Sequence, residues 1–248
     1  MAVQRGKQPT YLMMELDYIN KGGVVITMES YIKEALEEFP EEEWTPASSP
    51  VSGHLFKVND NGKPLEEKRV LLFHILMAKL IFVSKQECPY IQTTISFLNT
   101  RVRIPDEDDW KKICCLVKYL FGTMEDIALH LNADDLKVMH WWVDLSYGTH
   151  SDLKDHTGAT IFIKKGCVTS ISKKQNSNTT SSTISEIIGV QKSSPQVLWN
   201  FFSPEPGVPY KRSDLLSGLW ERNASWEKWV CIKLDTHQAR QHLLFFFK

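Results

Sequence analysis

Three acids stand out by what surrounds them. Asp144 ends the apolar run Trp141-Trp142-Val143 and is followed by Leu145-Ser146-Tyr147-Gly148. Asp and Gly are poor strand residues, so the spacing predicts a strand that stops near Asp144. A carboxylate brought to a strand end behind bulky aromatics is held still, as an acid beside a reaction centre must be. The same residue could simply open a turn, and the local sequence by itself favours that use. Glu186 follows the hydroxyl-rich run Thr179-Thr180-Ser181-Ser182-Thr183-Ile184-Ser185. Such a run is an N-cap signal, and Thr183 with Glu186 fits a capping box that would employ Glu186 in closing its own helix. The catalytic alternative is that Glu186 projects from the first helical turn over the sheet edge, towards Asp144. Asp214, in Lys211-Arg212-Ser213-Asp214, reads locally as a surface acid.

The elements that must position these acids fall into two groups. Residues 11–17 lean to strand, Asn20-Lys21-Gly22-Gly23 makes a turn, and Val24-Val25-Ile26-Thr27 runs back as a hairpin. Ser30 can cap a helix over 30–39, with Tyr31, Ile32, Ala35, Leu36 and Phe39 on one face, and Pro40 ends it. The polar, Pro- and Gly-rich stretch 41–64 reads as a long loop. Helices are predicted over 65–83, 91–98 and from Pro105 to about 121. Trp110, Ile113, Leu116, Val117 and Leu120 form the apolar side of the last, and Gly122-Thr123 closes it. After Asn132-Ala133-Asp134-Asp135 the pattern changes. Short strands are predicted over 136–143, 160–164 and 167–172, joined through 155–158 and 165–166. A polar stretch, 173–180, leads to a helix over 184–202 that Pro195 could kink or split. Hairpin and helices, then strands and a helix, predict an α/β layer structure with a boundary near residue 133, dividing 1–133 from 134–248. From Ser203 onward, three prolines and scattered Trp and Phe residues lack a clean period.

Composition narrows the classes. The 248 residues are 42% hydrophobic and 24% charged, enough for a sizeable core. A formal charge of −1 supplies no global basic field, so any nucleic-acid contact must come from a local patch. Five cysteines without regular spacing argue for reduced, buried thiols rather than a disulfide framework. The amino-terminal residues lack an apolar signal core, and the longest apolar run, 70–83, falls short of the roughly 20 residues a bilayer requires. The expectation is a cytoplasmic protein with no membrane partner.

Asp144, the Ser-Lys-Lys-Gln of 172–175 and the Ser-Ser-Thr-x-x-Glu of 181–186 together resemble the ribonuclease H domain of copia-type retrotransposon Pol polyproteins. The first half resembles the end of the same family's reverse transcriptase, its thumb and connecting region. Matching pieces are Tyr11-Leu12 with Gly22-Gly23, Tyr31-Ile32, Thr45-Pro46, 76–84, and Trp110 with Tyr119-Leu120-x-Gly122-Thr123. The order and spacing extend over roughly residues 11–202.

The resemblance implies a ribonuclease H-like, five-stranded mixed sheet with flanking helices, following a hairpin-plus-helices thumb and connection region. It implies an endonuclease that cleaves the RNA strand of an RNA–DNA hybrid with two Mg²⁺ (or Mn²⁺) ions. Asp144, Glu186 and Asp214 would be the metal ligands, and Lys173 and Lys174 would meet phosphates. The residue types suit that chemistry, because Mg²⁺ takes hard oxygen ligands and two such ions activate water and relieve charge on the leaving oxygen. Departures from the family are equally informative. The polymerase's Tyr-x-Asp-Asp is absent, which excludes polymerisation by that mechanism. Cys88-Pro89-Tyr90 stands in place of Arg-Pro-Asp. Asp214 follows Glu186 at a shorter interval than usual, the family's fourth acid has no counterpart, and His237 and His242 lie in unmatched surroundings. The tail reads as truncated or frame-altered, so a decayed, inactive retroelement fragment with weak nucleic-acid binding is the alternative expectation.

Overall fold

A computed structural model describes residues 8–18, 23–39, 45–51, 53–132, 138–163, 166–202, 230–235 and 244–247. The first half opens with β1 (Thr10–Tyr11), β2 (Met14–Asp17) and β3 (Gly23–Thr27), and β2 and β3 form the expected hairpin. The chain then forms α1 (Glu29–Glu37), α2 (Glu67–Gln86), a 3-10 turn (Pro89–Ile91), α3 (Gln92–Asn99) and α4 (Glu107–Thr123). It returns as β4 (Leu129–Asn132), which pairs with β3 and completes an antiparallel sheet in the order β1-β2-β3-β4. One continuous apolar core joins these helices to the sheet, with Met28, Ile32, Phe73, Leu80, Ile113 and Leu116 fully enclosed.

Local chemistry explains where the helices start. α4 is closed by a capping box: Asp106 accepts from Asp108 N and Asp109 N, and Asp109 accepts from Asp106 N. Arg101 holds both acids, at 3.4 Å to Asp106 and 2.9 Å to Asp109. α1 begins one residue earlier than predicted, with Met28 at its N-cap, so Ser30 is not the cap. The Ser30 hydroxyl instead donates to Glu15 of the hairpin at 2.8 Å, while Met28 N donates to the buried Glu87 at 2.9 Å. Gly122 does not close α4 as a left-handed cap, because the helix continues through Thr123. A Cβ there would stand 2.6 Å from Pro46, so the glycine lets the loop approach the helix.

The second half contains β5 (Val138–Ser146), β6 (His156–Ile163), β7 (Gly166–Lys174), α5 (Ser182–Phe202), β8 (Val230–Asp235) and β9 (Leu244–Phe247). They form a five-stranded sheet in the order β7-β6-β5-β8-β9. Every pairing in it is antiparallel, which corrects the expected mixed sheet. A mixed sheet would need β8 to start at the same end as β5. Instead Val230 pairs with Val143, so β8 enters beside the Asp144 end and runs back to Val138. The expected α/β class stands, as two antiparallel sheets with five α-helices among the described residues.

Strand alternation sorts the residues of this sheet into two faces. Leu145, Thr157 and Lys173 are in register on one face, with Val143, Ala159 and Ile171. α5 covers that face: a Cβ on Gly189 would meet Leu145 at 3.2 Å and Thr157 at 3.4 Å. Pro195 does not split α5. Proline removes an N–H that Gln191 O would have accepted, and the Ser194 hydroxyl donates to that carbonyl at 2.9 Å.

The other face and the β7 edge meet the first half. Lys85 Nζ and Gln92 Nε2 both donate to Ser170 O, at 2.8 and 3.1 Å. Ser172 Oγ donates to Thr93 Oγ1 at 3.3 Å and so accepts from His156 Nε2 at 2.7 Å. That leaves His156 Nδ1 to accept from His150 Nε2 at 3.1 Å, and the Phe56 ring lies 4.8 Å from His150 and 5.2 Å from His156. A cleft of 290 Å³ opens along the seam, lined by Glu87, Pro89 and Tyr90 from one side and Thr160, Phe162 and Cys167 from the other. Cys88, Cys114 and Cys167 are buried and unbridged, and no described helix is long and apolar enough to cross a membrane.

Candidate carboxylate site

β5 carries Asp144 in the body of the strand. The sequence pattern predicted a strand end there, but the ladder continues to Ser146, with Asp144 opposite Gly158. The ladder overrides Asp144's weak strand preference, since its neighbours Val143 and Leu145 pair with Ala159 and Thr157. Trp141 and Val143, at 2% and 4% exposure, anchor the strand on the α5 side. Asp144 is half-buried and, by alternation, shares the opposite face with Trp142 and the Gly158–Ser172 row.

Glu186 stands one turn into α5. The capping box predicted from Thr183 does not form, because the helix starts earlier. Ile184 N donates to Ser181 Oγ at 3.3 Å and Ser185 N to Ser181 O at 3.1 Å, so Ser181 is the cap. Glu186 is therefore not used in capping. Its carboxyl is pushed above its ordinary range, first by burial and then by the negative charge of Asp144. Glu186 on the helix is thus near enough to the strand for the charge of Asp144 to be felt there.

The remaining expected residues divide. Lys173 is exposed on the face that α5 covers, in register with Thr157. Lys174 is tied to Asp152 at 2.8 Å, and the pair holds the Asp152 carboxyl below its ordinary value. Asp214, His237 and His242 lie outside the described residues. Among the described residues, no group of three or more His, Cys, Asp or Glu side chains could hold a metal ion.

Sequence reasoning missed the polar network around this pair. Of residues 155–158, expected as a turn, all but Asp155 belong to β6, which starts at His156. His150 and His156 are both buried; burial lowers both, and in His156 the charge of His150 helps bring the value to about 4. Asp155 is enclosed with Ser185 and Gln175. Burial works against its charge, but the Ser185 hydroxyl, Gly148 N–H and Thr179 hydroxyl outweigh that and keep the carboxyl low. The available signal was the number of hydroxyl donors between Thr179 and Ser185, which exceeds what one helix cap uses.

The chain is similar to the retrovirus-related Pol polyprotein from transposon TNT 1-94 of Nicotiana tabacum, at 24% identity over 179 residues. The alignment takes in 70% of this chain and 13% of that polyprotein, so the chain matches only a short part of its relative. This similarity supports an origin in a retrotransposon Pol polyprotein. No family model matches the chain, and no solved structure matches it.

Proposed function

We propose that this chain is a segment of a copia-type Pol polyprotein whose second half is a ribonuclease H-like nuclease acting on the RNA strand of RNA–DNA hybrids. The observation that carries the reading is that α5 packs on β5, Gly189 facing Leu145, and so brings Glu186, which takes no part in capping, within range of the negative charge of Asp144. Carboxylate oxygens are the hard donors that Mg²⁺ or Mn²⁺ prefers, so the pair fits such an ion in donor chemistry. Asp144 and Glu186 would hold it, with Asp214 as the candidate third ligand. A bound ion of this kind supplies an activated water and charge relief on the leaving oxygen. A bound cation would lower the Glu186 carboxyl, against the burial and the Asp144 charge that raise it. Lys173, exposed on β7, would meet a backbone phosphate.

Because no described group of three ligands exists and Lys174 is engaged by Asp152, an inactive retroelement-derived fold that binds nucleic acid weakly is the second reading. Incubating the purified full chain with an RNA–DNA hybrid and Mg²⁺ or Mn²⁺ separates the two. The nuclease reading expects RNA-strand cleavage that Asp144→Asn and Glu186→Gln each abolish. Folded protein that leaves the hybrid intact supports the second reading.

A further inference from the structure

Asp155 is a third carboxylate in this corner of the fold, with no exposed surface and no role in the reading above. Its Oδ1 accepts from Gly148 N at 2.7 Å, and its Oδ2 accepts from Thr179 Oγ1 at 2.7 Å and from Ser185 Oγ. Its carbonyl accepts from Gln175 N at 2.8 Å. The Gln175 amide then donates to Thr157 Oγ1 at 2.9 Å and to Ser185 O at 3.4 Å. Three donors take three of the roughly four lone-pair sites on its two oxygens, and the residue's complete burial keeps the carboxylate away from an ion or substrate in solvent.

The donors come from significant places. Gly148 lies in the turn that leaves β5, just beyond Asp144, and holds a left-handed backbone with φ +59°. Ser185 is the chain neighbour of Glu186, and Thr179 belongs to the segment that leads into α5. Hydrogen bonds to a carboxylate are roughly twice as strong as neutral ones and are directional. One side chain therefore ties the turn after the first acid's strand to the helical turn that carries the second.

We propose that Asp155 is the positioning residue of the carboxylate site, clamping the first turn of α5 to the turn after β5 and so fixing Glu186 relative to Asp144. This rests on Asp144 and Glu186 being the site, but not on the site being hydrolytic. Asp155→Asn is the direct perturbation, since an amide replaces one acceptor oxygen with a donor. The exposed Asp152→Asn on the same loop is the control. Two measurements on the full chain decide: amide hydrogen exchange at Gly148 and residues 184–186, and Mn²⁺ affinity from the electron paramagnetic signal of the free ion. In Asp155→Asn, exchange at those amides rises about tenfold while α4 keeps its protection. Mn²⁺ affinity falls about 10–100-fold, as when a metal ligand loses its hydrogen-bonded support. Asp152→Asn changes neither. Should Asp155→Asn fail to fold, Ser185→Ala, which removes one donor only, is expected to give the same changes at smaller size.

Faster exchange with unchanged Mn²⁺ affinity would make Asp155 merely structural and overturn the proposal. Unchanged exchange overturns it whatever the affinity does. A wild-type chain that binds no Mn²⁺ fails the site reading itself, and the exchange arm still decides whether the clamp exists.

Discussion

In the first half the fully enclosed side chains include Phe73, Leu80, Ile113 and Leu116; in the second half Asp155 and Ser185 are just as enclosed, beside the apolar Trp141 and Ile161. The first arrangement excludes water through apolar area, which is strong but non-directional. The second does so through hydrogen bonds that each specify a partner and an angle. This difference matches what each half has to do. Helices around an apolar core need only the right volume and pattern, whereas two acids from different elements can be aligned only by directional contacts. The halves also differ in their buried titratable groups. Glu87, 2% exposed, is pushed up to about 7 by burial, against the opposing Met28 N–H. His156, 5% exposed, is pushed down to about 4 by burial and by His150.

Breaking this contrast starts with the largest effect. Phe73→Ala should cost ~3–5 kcal/mol, read as a shift in the urea midpoint, because a fully buried ring leaves a cavity. A much smaller loss would mean that the apolar core is not the main support of the first half.

The pH responses of the two halves should oppose each other. Glu87 has a raised value, so the folded state prefers its neutral form. Its stabilising effect is complete below pH 4.5 and is lost as pH rises through about 7, by ~3 kcal/mol from the size of the shift. His156 has a lowered value. Its effect is complete above pH 6.5 and is lost as pH falls through about 4, by a similar ~3 kcal/mol. Between these limits the two slopes offset each other in the wild-type chain. Glu87→Gln should expose a steep acid loss, and His156→Gln a loss towards neutral pH. Urea midpoints of both variants that run parallel to wild type across this range would remove the contrast.

A third test addresses the seam. A Cβ on Gly166 would stand 2.4 Å from Leu131 and 2.6 Å from His130 O, so Gly166→Ala should destabilise by ~1–3 kcal/mol as overpacking. Gly53 has nothing within 4 Å, and Gly53→Ala should be neutral or gain up to ~1 kcal/mol. Equal midpoints for the two variants would mean that β7 does not press on β4. The smallest effect belongs to Lys174→Ala. Its ion pair with Asp152 is about two-fifths exposed on the acid's side, which limits the cost to at most ~1 kcal/mol in low salt, fading in high salt.

Much of the fold is legible in the residues, because the signals are local. The β2–β3 hairpin follows from Gly22-Gly23 between apolar runs, and α4 from Asp106 ahead of a periodic apolar face. Errors occur where a distant partner decides. Ser30 reads as a cap until Glu15 takes its hydroxyl, and Gly122 reads as a helix stop until Pro46 needs the space. The antiparallel course of β8 depends on where the chain returns after α5, which composition does not encode.

The candidate site divides in the same way. The sequence by itself determined that Asp144 lies on an apolar strand and that Glu186 enters a helix behind a hydroxyl-rich run, since strand and helix periodicity are properties of neighbouring residues. Only the tertiary structure decided that Ser181 caps that helix, that Asp144's charge reaches Glu186, and that Asp155 ties their elements together. The cap is a local choice among neighbouring hydroxyls, but the other two join residues far apart in the chain, and a buried carboxylate declares its use only through the donors that folding brings to it.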